Sequence, residues 1–166
     1  MITIVPATAN DYKIIQEIAF QTWPIAYGEI LSKAQLDYML KAFYNEEALM
    51  DSVANKGHYF VLAKEGEETL GFASYEYNYN QKPQTKIHKI YILPETQGKG
   101  IGKKLIDFIE KDAKENDSAI LSLNVNRFNK ALHFYQKIGF QITAEIDIEL
   151  EHGYLMEDYV MEKPIL

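Results

Sequence analysis

Cysteine is absent from the 166-residue chain. That alone excludes disulfides, thiolate metal sites, iron–sulfur ligation and a cysteine nucleophile. Basic residues are in deficit: 17 Lys and Arg face 24 Asp and Glu, a net charge of −7 with the 4 His neutral. General nucleic-acid binding is excluded by this balance, because it needs a basic face to displace counterions. Cationic partners, amines among them, are favoured instead. No stretch approaches the roughly 20 apolar residues of a membrane span, and Met1–Ala9 has neither a basic start nor an apolar run. No membrane partner and no signal peptide are therefore expected, and the expected location is the cytoplasm. Internal repeats, low-complexity segments and a Gly-x-Ser-x-Gly nucleophile elbow are also missing. What remains is a chain with 47% hydrophobic and 13% aromatic residues. It is too apolar for disorder, and its length suits one domain over residues 1–166.

Periodicity divides the chain into a helical part and a strand-rich part. Met1–Val5 alternates and ends at Pro6, as a first or edge strand would. Asn10 and Asp11 can cap a helix carrying Ile14, Ile15, Ile18 and Ala19 at helical spacing. Pro24 biases Trp23 away from helical backbone, so this helix is expected to stop near Thr22 and leave Trp23–Tyr27 as a loop. Ser32 with Gln35 forms a capping box for a second helix, with Leu36, Met39, Leu40 and Phe43 as its stripe. A third runs from Asn45 to Gly57. Period two then predicts strands at Tyr59–Ala63, Leu70–Tyr79 and Lys86–Leu93. A helix over Gly98–Lys114, a strand at Ala119–Val125, a helix over Asn129–Ile138 and strands at Phe140–Ile148 and Tyr154–Met161 complete the order. The fold class is mixed α/β, and the strand–helix–strand unit over Lys86–Val125 implies a right-handed crossover and a locally parallel pair.

The segment that carries chemistry is Ile90–Lys104, IYILPETQGKGIGKK. Gly98, Gly100 and Gly102 crowd the handover from strand to helix. Each glycine inside a helix costs roughly 0.5–1 kcal/mol against alanine, so the cluster needs a reason. A helix N-terminus offers unpaired N–H groups and about half a positive charge, which suits a phosphate or pyrophosphate. Lys99, Lys103 and Lys104 add cations. The run is not a Walker A loop, because Gln97 stands where its first glycine belongs. It is not the dinucleotide fingerprint either: Lys103 replaces the third glycine, and the acidic residue about 20 positions on is missing.

Gln97-x-x-Gly100-x-Gly102, following Leu93-Pro94, resembles the acetyl-CoA pyrophosphate motif of the GNAT superfamily of N-acetyltransferases. The stretch Asn129-Lys130-Ala131-Leu132-His133-Phe134-Tyr135-Gln136-Lys137-Ile138-Gly139-Phe140 is similar to the family's second signature. Pro6-Ala7-Thr8 with Asp11 and the helix order agree, so the resemblance covers essentially the whole chain. One departure is Phe128, which occupies the place of the family's frequent asparagine; the role passes to Asn129. The ending Gly153–Glu162 looks closest to the spermidine/spermine N-acetyltransferase-like branch.

The resemblance implies a mixed, mostly antiparallel central sheet with a parallel pair at the cofactor cleft, flanked by helices. It implies acetyl-CoA as cofactor, with the pyrophosphate on Gln97, Gly98, Lys99, Gly100, Ile101, Gly102 and Lys103. The pantetheine arm would lie along the backbone of Ile90, Tyr91 and Ile92, with Asn129 also on the cofactor. Tyr135 would be the acid beside the coenzyme sulfur, although helical spacing alone reads it as a core tyrosine. His88 is the candidate base and Glu76 its rival, since an imidazole near pKa 6.5 suits an amine's proton at neutral pH. The 4 His look scattered along the chain, so no metal site is expected. Trp23, Tyr27, Glu76 and Tyr77 are the candidate substrate contacts, with Tyr75, Tyr77 and Tyr79 expected on one strand face. Aromatic and acidic groups together would suit an alkyl-ammonium ligand. The expected activity is direct transfer of acetyl to a primary amine, a polyamine or another small amine, in a ternary complex. An idle acyl-CoA-binding sensor or partner module of the same fold stands as the other reading. A small-molecule amine is the expected partner, and a homodimer is an allowed assembly.

Overall fold

The alternating stretches pair into one seven-stranded sheet in the computed structural model, which describes residues 1–166. In chain order the elements are β1 (Ile2–Pro6), α1 (Tyr12–Tyr27), α2 (Lys33–Tyr44), α3 (Glu46–Ala54), β2 (Tyr59–Glu65), β3 (Glu68–Glu76) and β4 (Gln84–Ile92). They continue with α4 (Ile101–Glu115), β5 (Ile120–Asn126), α5 (Ala131–Lys137), β6 (Gln141–Glu149) and β7 (Leu155–Pro164). The strand order is β1-β2-β3-β4-β5-β7-β6, antiparallel except for β4 and β5. This is the expected mixed sheet with one parallel pair, and the α4 crossover makes that pair.

Each face of the sheet buries its own apolar layer. On one side α4 places Ile101, Leu105, Ile106, Ile109 and Ala113, a stripe of helical period, against Val61, Ala73, Ile87 and Leu121. On the other, Ile15, Ile18, Ala19 and Trp23 of α1, with Leu36, Met39 and Leu40 of α2, cover Phe60, Leu62 and Phe72. Full burial of one such large side chain contributes about 1.5–3 kcal/mol, so these two layers hold the helices to the sheet. Asn45 caps α3 by accepting from Ala48 N at 2.8 Å, and Ser32 caps α2 by accepting from Gln35 N at 3.1 Å. No helix is long and apolar enough to cross a membrane.

Three of the differences from the expected boundaries bear on the site. Helix α1 does not stop at Thr22 but runs through Pro24 to Tyr27, closing with Gly28 N on Pro24 O at 2.9 Å. Burial of Trp23 (4% exposed) among the helices outweighs the bond lost at Pro24. The expected Trp23–Tyr27 loop is therefore helix. Strand β3 ends at Glu76, not Tyr79, because Asn78, Asn80 and Gln81 adopt left-handed backbone (φ 51°, 55° and 60°) and turn the chain. Tyr75, Tyr77 and Tyr79 accordingly do not share one strand face. Helix α4 begins at Ile101, since Gly98 and Gly100 have φ of 90° and 73° and lie outside it.

Candidate active site

The parallel pairing of β4 with β5 covers only Gln84–Ile87 against Ile120–Leu123. Beyond it, Lys89–Ile92 pair with β3 alone, and Asn124–Asn126 with β7 alone. The divergence has a local cause. Ser74 lies opposite Lys89 and Tyr75 opposite Ile87, which leaves His88 as an extra residue on β4. Such a bulge bends its strand and increases the twist. The edge of β4 facing β5 thus presents main-chain groups of His88–Ile92 to a notch, where an extended amide-bearing chain could pair with them. Ile90 and Ile92 point their side chains toward the α4 layer, while Tyr91 points toward α1.

At the mouth of the notch, Pro94–Thr96 forms a short 3-10 turn, and the glycines follow. The N–H groups of Gly98, Lys99, Gly100, Ile101, Gly102 and Lys103 donate to no main-chain oxygen; the first such bond is Lys104 N to Gly100 O at 3.1 Å. Consecutive free amides ahead of a 15-residue helix form an anion cradle. The glycines serve two different ends. Gly98 and Gly100 supply left-handed backbone with open space where a Cβ would stand. At Gly102 a Cβ would meet Ile92 Cδ1 at 3.1 Å and Phe134 Cζ at 3.3 Å, so this glycine lets α4 approach β4 and α5. Lys99 and Lys103 are exposed and engaged with Glu65 (3.3 Å) and Asp107 (2.8 Å).

Tyr135, Tyr27, Tyr91 and Asn129 gather beside the notch. Tyr27 and Tyr91 share a hydrogen bond of 3.0 Å. Burial raises both phenols above their ordinary range; Tyr91 and Asn129 moderate the rise at Tyr27. Tyr135 is 8% exposed, packs edge-on against Phe134 and Phe140, and is raised by burial and by the nearby Tyr27. Its phenol therefore keeps its proton throughout the neutral range. Asn129 Oδ1 accepts from Ala131 N at 2.9 Å and so starts α5.

Two of the 4 histidines, distant in sequence, meet in space. His58 and His88 stack at 3.9 Å between ring centres, and Glu76 Oε1 lies 2.9 Å from His88 Nε2 and 3.4 Å from His58 Nε2. No metal site is expected from the linear spacing of the histidines, but the β2–β3–β4 pairing brings His58 and His88 together with Glu76. Burial, reinforced by His58, Lys86 and Lys89, pushes His88 down to about 2. Burial, with Lys89, Lys56 and Lys86, pushes His58 down to about 4. Neutral imidazoles and a carboxylate are metal-ligand types, but the surrounding lysines oppose a metal cation as they oppose protonation. Glu76 is committed to these rings. Tyr77 lies on the opposite face of the sheet, where it and Tyr75 donate to Asp112 Oδ2 of α4. It therefore does not line the cavity on the α1 side of the sheet.

That cavity, of about 260 Å³, opens between α1, α2 and the strands β4, β5 and β7. Trp23 and Tyr27 line it, and so do three residues the sequence reading passed over: Lys86, Lys89 and Asp158. Lys89 has neither a hydrogen bond nor an ion pair; its Nζ sits 5.4 Å from the Tyr44 ring centre, and burial pushes it down to about 8. Asp158 is 3% exposed, and burial raises its carboxyl to about 6 against the pull of Lys86 and Arg127. Arg127 meets Asp158 at the main-chain oxygen alone (Nε, 3.3 Å); its Nε also lies 3.3 Å from Glu145 Oε1 and its Nη2 binds the Asp147 carboxylate at 2.6 Å. The signal for Asp158 was available: in the period-two run Met156, Asp158, Val160 it is an acid on an apolar face.

Residues 29–162 match the model of the acetyltransferase (GNAT) domain. The chain is 35% identical over 127 residues to a 5-NmdU N-acetyltransferase of Pseudomonas phage PaMx11, a span covering 74% of this chain and 85% of that protein. It is 26% identical over 159 residues to a spermidine N(1)-acetyltransferase of Thermoplasma acidophilum, covering 93% and 91%. The crystal structure of PaiA N-acetyltransferase from Thermoplasma acidophilum in complex with coenzyme A has the same fold, with a TM-score of 0.83 over 99% of both chains at 24% identity.

Proposed function

The chain belongs to the GNAT acetyltransferase family, and from that premise we propose that it transfers acetyl from acetyl-CoA to a primary amine by direct attack in a ternary complex. The observation that carries this reading is the pairing of two features: the six free amides of Gly98–Lys103, and the β4 edge left open by the bulge at His88. The first suits a pyrophosphate and the second an amide-bearing arm, and they adjoin each other. Acetyl-CoA supplies the activated acyl group. No cysteine is present to carry a covalent acyl intermediate, which favours direct attack.

Each remaining task falls to a residue of this chain. Main-chain N–H groups of Ile90 and Ile92, which point away from β3, hold the donor and offer a partner for developing negative charge on the carbonyl oxygen. Tyr135 holds a phenolic proton beside the notch for the departing sulfur. His88 is too weakly basic at about 2 to take the amine's proton, and it serves by fixing the bulge through Glu76. Asp158, at about 6, lies nearer the working pH and takes the proton role. Trp23 and Tyr27 wall the acceptor cavity.

Incubation with acetyl-CoA and a panel of primary amines, read by released thiol and by mass spectrometry of the amine, tests this reading. Acetylated amine formed one-for-one with CoA is the expected result. Acetyl-CoA binding without turnover on any amine would instead support an acyl-CoA sensor of the same fold.

A further inference from the structure

The acceptor cavity has an unusual electrical character for a chain of net charge −7. Lys86 and Lys89 line it on either side of the β4 bulge, Lys86 with its Nζ donating to the Tyr79 hydroxyl at 3.2 Å and Lys89 unpaired, and only Asp158 among its lining residues is acidic. A polyamine, with several positive charges, would find two lysines and one carboxylate. The unpartnered groups are more specific still. Trp23 Nε1 and the Tyr44 hydroxyl are buried without a hydrogen-bond partner. Both residues line this cavity, with ring centres 5.7 Å apart, and the Lys89 ammonium lies over the Tyr44 ring. Trp23 Nε1 has only the Tyr44 oxygen near it, so the Tyr44 hydroxyl and the Lys89 ammonium stand as donors without acceptors at one end of one cavity. A buried donor left unpaired is costly, so their natural complement is an acceptor brought by the ligand. The only unpaired acid of the lining, Asp158, stands on β7, across from β4.

We infer that the acceptor amine carries a carboxylate, bound by Lys89 and the Tyr44 hydroxyl, with its amino group toward Asp158: an apolar amino-acid zwitterion and not a polyamine. This rests on the acetyl-transfer reading above and narrows its substrate class. The remaining walls include Leu31, Met39, Phe43 and Met156, which suit an apolar side chain. The volume of about 260 Å³ lies near the lower end for ligand pockets, roughly 300–1,000 Å³, and fits an acceptor of that size. A carboxylate also gains from Lys89 as a charge-assisted partner, in a site where water competes poorly.

Initial rates with acetyl-CoA, read by released thiol, test the inference on matched acceptors. These are L-methionine against 3-(methylthio)propylamine, L-leucine against isoamylamine, and spermidine. The wild type should prefer each amino acid over its decarboxylated partner in kcat/KM by about 10- to 100-fold, the scale of a hydrogen bond to a charged group. Lys89→Met should collapse that ratio toward one, and Lys89→Arg should retain most of it. Equal or better use of the decarboxylated amines or of spermidine by the wild type overturns the inference and leaves acetyl transfer standing. A ratio unchanged in Lys89→Met also overturns it. No turnover with any acceptor, while acetyl-CoA still raises the melting temperature, overturns the acetyl-transfer reading itself and this inference with it.

Discussion

Asp158→Asn should stabilise the protein while damaging its activity. The carboxyl of Asp158 rises from an ordinary 3.8 to about 6 because it is buried without a hydrogen-bonding partner. Each tenfold change in proton affinity is worth about 1.36 kcal/mol, so holding the charge buried at pH 8 costs about 3 kcal/mol at most. The sign follows from linkage. Between 3.8 and about 6 the native state binds the extra proton, so this group's destabilising effect is complete above about pH 7 and fades as pH falls toward 4. Asparagine keeps the shape and removes the charge. Its advantage should be about 1–3 kcal/mol at pH 8 and roughly half that at pH 5. For a chain of this length it should raise the melting temperature at pH 8 by about 3–10 °C. Thermal denaturation of both proteins at the two pH values measures this. The same substitution should abolish the acidic limb near pH 6 in kcat/KM and lower the rate, the exchange of stability for function common at active sites. An Asn variant no more stable than wild type at pH 8 would show that Asp158 is satisfied in the fold, and would refute its role as a poised carboxylate.

Tyr135→Phe should lower kcat by about 10²–10⁴-fold with little change in melting temperature, since only one hydroxyl is lost. Burial places the phenol above its ordinary range, so the wild-type pH–rate profile should show no alkaline limb from Tyr135 through pH 9; an unaltered kcat in the Phe variant would return the residue to the core. Gly100→Ala should lower the melting temperature by about 2–8 °C, because φ of 73° costs an L-residue about 1–2 kcal/mol even though no atom lies within 4 Å of the new Cβ. Denaturation curves indistinguishable from wild type would contradict the left-handed turn.

Much of this site was legible in the sequence, and what was not is instructive about why. The glycine turn could be read because its chemistry is local: left-handed backbone and free amides at Gly98–Lys103 follow from adjacent residues. The α4 stripe was equally plain, since Leu105, Ile106, Ile109 and Ala113 repeat at helical spacing. Trp23–Tyr27 was misread because the bias set by Pro24 is small and the burial of Trp23 is large. The meeting of His58, Glu76 and His88 has no linear signature, being a product of sheet register. Lys89 looked like any strand lysine until the bulge at His88 turned it into the cavity. Asp158 carries a local signal, an acid on the apolar face of Met156 and Val160, but its place in the cavity comes from the pairing of β7 with β5 opposite Asn126.

Hydrogen–deuterium exchange with and without saturating acetyl-CoA tests most directly whether the opening between β4 and β5 is the acyl-donor site. Amides of Ile90 and Ile92 and of Gly98–Lys103 should slow together on binding, because the first two point away from β3 to an open strand edge, while Tyr91 N–H faces β3, and the glycine-turn amides are free. Peptides from the outer strands β1 and β6 should exchange as before. Binding accompanied by slowed exchange elsewhere, with both of these segments unchanged, would contradict the account.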